Sequence, residues 1–138
     1  MGKVIKLNTP NDSFNEAISI LTSLCQKDLE LINILILEKL DSKVPLIYEI
    51  ASYLILSGGK RLRPLLTSCS YHLLNNNNSK QQNHKNHIGL AAAVEFIHAA
   101  TLLHDDVVDE SKQRRGSLSV NEVWGNKTSV PVGDFLFS

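Results

Sequence analysis

The sequence predicts an all-α protein. Apolar residues recur at helical spacing through four long runs, and residues that start or stop helices bound those runs. Nowhere do apolar and polar residues alternate as in a half-buried strand. The chain has 138 residues, enough for one small domain, and contains no internal repeat.

Residues 1–11 read as a loose tail, leaving 12–138 as the domain. Ser13 and Glu16 fit a capping box, in which hydroxyl and carboxylate satisfy the first free amides of a helix. Phe14, Ala17, Ile18, Leu21, Leu24 and Cys25 follow at helical spacing, and the pattern continues through Leu29, Ile32, Leu35 and Ile36. This predicts one long helix to about Leu40, on the order of 40 Å at 1.5 Å per residue. Asp41 and Ser42 can cap a second helix, with Pro45 in its first turn and Gly58-Gly59 as its stop. A third starts near Arg63-Pro64 and runs through Leu66, Cys69 and Leu73. Residues 75–87, NNNNSKQQNHKNH, are polar and low in complexity, which predicts an exposed loop. The fourth helix, about Ile88 to Asp109, is apolar on nearly all sides, the pattern of a helix buried in the middle of a protein. Residues 110–129 read as a charged connection, and Val130–Ser138 as the start of another helix with no stop signal.

Hydrophobic content of 43% and charged content of 20% are ordinary for a globular chain. Lys plus Arg and Asp plus Glu each number 14, so nothing in the charge balance points to nucleic acid. Cys25 and Cys69 form no metal-site spacing and no disulfide framework, which favours a reducing compartment. MGKVIKLNTPND lacks the apolar core of a signal peptide, and Glu38, Glu49, Glu95 and His98 interrupt the apolar stretches. The expectation is a cytoplasmic protein without a membrane span.

Chemistry concentrates in Glu95 to Gly116, EFIHAATLLHDDVVDESKQRRG. Asp105 and Asp109 are one helical turn apart and point the same way, with Asp106 beside them. Crowded carboxylates repel, and the C-terminal end of a helix disfavours negative charge further. A divalent cation removes the conflict, and oxygen ligands shared with substrate phosphates suit Mg²⁺. Arg114 and Arg115 follow, with guanidinium forks that match phosphate oxygens. An isolated DDxxD also occurs on solvated helix ends, but here the helix before it reads as buried.

A second stretch, Ser57-Gly-Gly-Lys-Arg-Leu-Arg-Pro64, combines a glycine turn, Lys60, Arg61, Arg63 and a helix N-terminus. That suits a phosphate, although it also fits a helix-ending turn with solvated basic residues. It is not a P-loop: the Lys-Ser/Thr ending is absent. Together the two stretches fit a substrate carrying two diphosphates, one held through metal and one through Lys and Arg.

GGKRLRP (58–64), EFIHAATLLHDDVVDES (95–111), RRG (114–116) and VGDFLFS (132–138) occur in the order of the trans-prenyl diphosphate synthases. The chain resembles that family over roughly residues 44–138, and within it the long-chain members, octaprenyl-forming enzymes among them. The resemblance implies the N-terminal half of the isoprenoid synthase helical bundle. It further implies a prenyltransferase that condenses an allylic prenyl diphosphate with isopentenyl diphosphate, such as supplies quinone side chains. It implies Asp105 and Asp109 as metal ligands with Asp106 beside them. Lys60, Arg63, His98 and Arg115 would contact the isopentenyl diphosphate, with Arg61 in the same turn, and Arg114 the allylic diphosphate. Ala100 and Thr101, five and four residues before Asp105, resemble a gate on product length. The family's second aspartate-rich motif is not in this sequence, so a truncated or split half is expected, inactive alone, working as a homodimer or with a complementary C-terminal half. Two other readings remain: a non-catalytic half, and an HD-type phosphohydrolase built on His104-Asp105.

Overall fold

The computed structural model describes residues 10–41, 43–56, 59, 61–75, 86–114 and 116–138. The elements are α1 (Pro10–Leu24), α2 (Gln26–Lys39), α3 (Pro45–Leu56), α4 (Leu62–Asn75), α5 (Asn86–Val108), β1 (Gln113–Arg114), β2 (Ser117–Leu118), α6 (Val120–Trp124) and α7 (Asn126–Phe137). The class is all-α, as the periodicity predicts; the two short strands form one antiparallel hairpin, Gln113 opposite Leu118 and Arg114 opposite Ser117.

The single long N-terminal helix is instead two helices, bent at Cys25 (φ −101°, ψ 15°). The hydrogen-bond ladder continues through the bend: the Cys25 N–H donates to the Leu21 carbonyl and the Leu29 N–H to the Cys25 carbonyl, both at 3.0 Å. Both halves pack on α4, and Cys25 is buried with its Sγ 3.5 Å from that of Cys69 on α4. Tertiary packing therefore makes the bend, and no Gly or Pro marks it. The first helix also begins earlier than its capping box, at Pro10, so Ser13 lies inside it.

Pro45 opens α3 and Pro64 sits in the first turn of α4, as expected. Within the polar run, Asn75 closes α4, while Asn86 and a buried His87 open α5; residues 76–85 lie outside the described residues. The connection after α5 is more structured than expected. It holds the hairpin and α6, and α7 starts at Asn126 and runs through Pro131. Gly116 and Gly125 make this possible by taking φ of +84° and +82°. Tyr53 pins the segment to α3: its Oη donates to the Leu118 carbonyl at 2.9 Å, and its ring meets Trp124 edge-on.

The core gathers around α5, which packs against α2, α4, α6 and α7. Ile32, Ile36, Leu40, Ile50, Ala91, Ala99, Ala100, Leu103, Val120 and Val132 are among its buried side chains. Glycine at 133 lets α7 come close, because a Cβ there would overlap the His104 imidazole. The expectation that α5 is covered all round is corrected: Leu90, Ile97, Thr101, Asp105 and Val108 are exposed along one face. By length and composition α5 could cross a membrane. Its buried stripe, however, is that of a core helix.

Candidate active site

The aspartate cluster divides by the way α5 turns. Asp105 and Asp109 are exposed, whereas Asp106, about 100° round the helix, is 1% exposed. The helix closes on its own residues: the Ser111 N–H donates to the Asp106 carbonyl and the Glu110 N–H to that of Val107, with Glu110 at φ +50°. This is a Schellman turn with glutamate in the left-handed position usually taken by glycine. It sends the chain back into the hairpin, and the hairpin returns Arg114 to Asp106. Arg114 Nε donates to both Asp106 oxygens, at 3.1 and 2.9 Å, and Nη2 donates to Oδ1 at 2.6 Å. The Asp106 hydrogen bonds hold the guanidinium above its ordinary range against the effect of burial, with attraction from Asp105 and Asp109 added. So Asp106 orients Arg114, and Arg114 is a fixed cation beside two open carboxylates. Arg115 lies outside the described residues.

At the other cationic stretch, Ser57, Gly58 and Lys60 lie outside the described residues. Arg61 takes φ +47°, unusual for a side-chain-bearing residue, and its side chain is tied down. Nη1 donates to Glu95 Oε1 at 2.7 Å and Nη2 to the Ile55 carbonyl at 2.9 Å. Arg61 thus clamps the α3–α4 turn to α5. Helical spacing gives Glu95 no role, and its one sequence signal is a glutamate within the apolar part of α5. Arg63, on the first turn of α4, is exposed. His98 lines a small cleft with Gly59, Arg61 and Glu95. His98, Thr101, Asp105 and Asp109 fall at i, i+3, i+7 and i+11, so they share one stripe of α5, with His98 and Asp105 about 10 Å apart along the axis.

Ala100 and Thr101, the pair expected to form a gate, do not share a face. Ala100 is 0% exposed within the core, while Thr101 is exposed, its hydroxyl donating to the Ile97 and His98 carbonyls. Lower on α5, an apolar cavity of about 330 Å³ opens between α2, α5 and α7, lined by Leu35, Ala92, Ala93, Phe96, Phe135 and Leu136 among others. His104 turns to α7, with Nε2 3.5 Å from Asp134 Oδ1 and 3.4 Å from the Val130 carbonyl. It is therefore not aligned with Asp105 as a metal-ligand pair.

The Polyprenyl synthetase family model matches residues 44–138. The octaprenyl diphosphate synthase of Escherichia coli (strain K12) is 42% identical over 118 residues, covering 86% of this chain and 35% of that protein. The all-trans-nonaprenyl-diphosphate synthase (geranyl-diphosphate specific) of Rhodobacter capsulatus is 42% identical over 101 residues, 73% of this chain and 30% of the relative. Among solved structures, a decaprenyl diphosphate synthase from Rhodobacter capsulatus superposes with a TM-score of 0.78 at 48% identity, covering 87% of this chain and 35% of that one. A polyprenyl synthase from Caulobacter crescentus CB15, complexed with calcium and isoprenyl diphosphate, gives 0.79 at 47%, with the same coverage. The chain spans about a third of the length of the curated relatives it matches.

Proposed function

Because the chain belongs to the polyprenyl synthetase family, we propose that it contributes the first aspartate cluster and the isopentenyl-side cations of a long-chain trans-prenyl diphosphate synthase. The carrying observation is the α5 stripe, with Asp105 and Asp109 exposed one turn apart and Arg114 locked beside them by Asp106. The donor set fits Mg²⁺: these are open carboxylate oxygens, hard ligands with room for water and phosphate. When bound, Mg²⁺ offsets the charge that grows on a departing diphosphate. Arg114 adds a fixed positive group at the same end, needing no reorganisation because Asp106 already holds it. His98 and Arg63, with Lys60, would hold the isopentenyl diphosphate about two turns away along α5. That spacing allows two diphosphates to sit side by side without sharing one charge cluster. A prenyl tail running from Asp105 down α5 would reach Phe96 and the apolar cavity after about 13 Å.

A chimera tests this reading. Residues 1–138 would replace the matching third of a related long-chain synthase, assayed with Mg²⁺, an allylic diphosphate and labelled isopentenyl diphosphate. Chain elongation is expected, and a folded chimera with no elongation would overturn the proposal.

In that chimera, Lys60→Ala and Arg63→Ala should each raise the KM for isopentenyl diphosphate by about 10- to 100-fold, the equivalent of one hydrogen bond to a charged group. The allylic KM should stay near that of the parent. A rise confined to the allylic KM would reverse the two sites.

The gate is expected at Thr101, which faces the open stripe, rather than at Ala100. Thr101→Phe should shift the products to shorter chains on reversed-phase chromatography. Ala100→Phe should instead overpack the core and lower stability by about 1–3 kcal/mol. Unchanged products from a folded Thr101→Phe chimera would remove Thr101 from the wall.

A further inference from the structure

At the opposite end of α5 from the aspartates, three helices bring unrelated polar residues to one point. Asp28 lies on the first turn of α2, Ser68 and His72 are four apart on α4, and His87 opens α5. His87 and Asp105 are 18 residues apart on α5, so the two clusters lie about 27 Å apart along the axis. Asp28 Oδ2 lies 2.7 Å from Ser68 Oγ, 2.7 Å from His72 Nε2 and 3.0 Å from His87 Nε2. A carboxylate oxygen offers about two lone-pair sites, so three donors on one oxygen exceed its ordinary capacity. His87 is 6% exposed and its Nδ1 has no partner among the described residues, so Nε2 toward Asp28 is the only polar tie among them for a buried imidazole. Tyr71 stacks on that ring at 3.9 Å and 3°, fixing its aim.

We infer that Asp28, His72 and His87 form a binding site for a divalent transition ion of the zinc class, separate from the aspartate cluster. The ligand atoms of the three residues lie within 4.8 Å of one another. Tetrahedral zinc, with bonds of about 2.0–2.2 Å, places its ligand atoms about 3.3 Å apart. The 2.7 and 3.0 Å separations would open by about 0.6 and about 0.3 Å to reach that spacing. Two imidazoles and one carboxylate suit zinc and disfavour Mg²⁺, which prefers all-oxygen ligands. Ser68 keeps the carboxylate turned inward, in the manner of a residue that orients a ligand. The fourth position faces the solvent beside His72, whose side chain is 54% exposed. A bound ion would brace α2, α4 and α5 against one another, a stabilising role rather than a catalytic one. The nearby thiols lie outside the ligand set. Burial first, then the hydrogen bond with Cys69, push Cys25 up to about 11, so it stays protonated.

The test is titration of the chelator-treated 138-residue chain with ZnCl₂ by calorimetry, with Co²⁺ absorption as a second readout. One equivalent per chain is expected, lost in His72→Ala, weakened at least tenfold in Asp28→Asn, and retained in Cys69→Ser and Asp105→Ala. His72 is half exposed, so its substitution should leave the fold intact, as circular dichroism would verify. No binding to the native chain would overturn the site. So would undiminished binding by His72→Ala, or a loss confined to Cys69→Ser or Asp105→Ala.

Discussion

Asp105→Ala and Asp109→Ala are each expected to lower Mg²⁺-dependent prenyl transfer in an active assembly by at least about 10²- to 10³-fold, the loss typical of one group aimed at developing charge. Both side chains are exposed, so neither change should alter stability by more than about 0.5 kcal/mol. Asp106→Ala should behave differently. It leaves Arg114 without its bidentate partner and opens a gap in the core beneath the end of α5. Breaking a buried pair costs about 3–5 kcal/mol, and this one belongs near the lower limit because Arg114 is partly exposed. Thermal melts beside turnover separate the roles: loss of activity at native stability for 105 and 109, loss of both for 106. Turnover of Asp105→Ala within a few-fold of the parent would defeat the metal-ligand reading, and a native melting temperature for Asp106→Ala would defeat the positioning one.

The second large effect concerns the 138 residues alone, which are expected to show no prenyl transfer. One pair of open aspartates cannot hold metal around two diphosphates from both sides. The stripe carrying those aspartates also exposes Leu90 (59%), Ile97 (53%) and Val108 (80%) to water. Covering each would contribute roughly 1 kcal/mol, about half the value of full burial. These apolar side chains are interspersed with Thr101 and Asp105 along the stripe, and exposed apolar surface of this kind favours association. Sedimentation should therefore show concentration-dependent self-association. Adding a separately expressed segment that supplies the rest of a relative's fold should relieve it and restore turnover together. Turnover by a monomer of the 138 residues would refute this expectation.

The contrast between Asp105 and Asp106 shows where sequence reasoning reaches its limit. Helical spacing places 105 and 109 on one face and 106 off it, because the 3.6-residue repeat is a local property. Which face turns inward depends on what packs against α5. The partner of Asp106 arrives from eight residues on, through a Schellman turn whose left-handed residue is Glu110 rather than glycine. The bend at Cys25 has the same origin, since the sequence on either side is continuous helix and only the fit to α4 breaks it.

Local periodicity, prolines at helix starts and glycine turns thus determined the all-α class, most helix positions and the shared face of Asp105 and Asp109, because each depends on near neighbours in the chain. Tertiary structure alone decided that Arg61 belongs to Glu95 and that Ala100 is sealed while Thr101 is open. It also decided that His87, in a run that reads as loop, points with His72 at Asp28. These pairings join residues 34, 44 and 59 positions apart, and such contacts form only when whole helices dock. Helix docking is set by the sum of many apolar contacts, so the polar residues it brings together carry no mark of which partner each will meet.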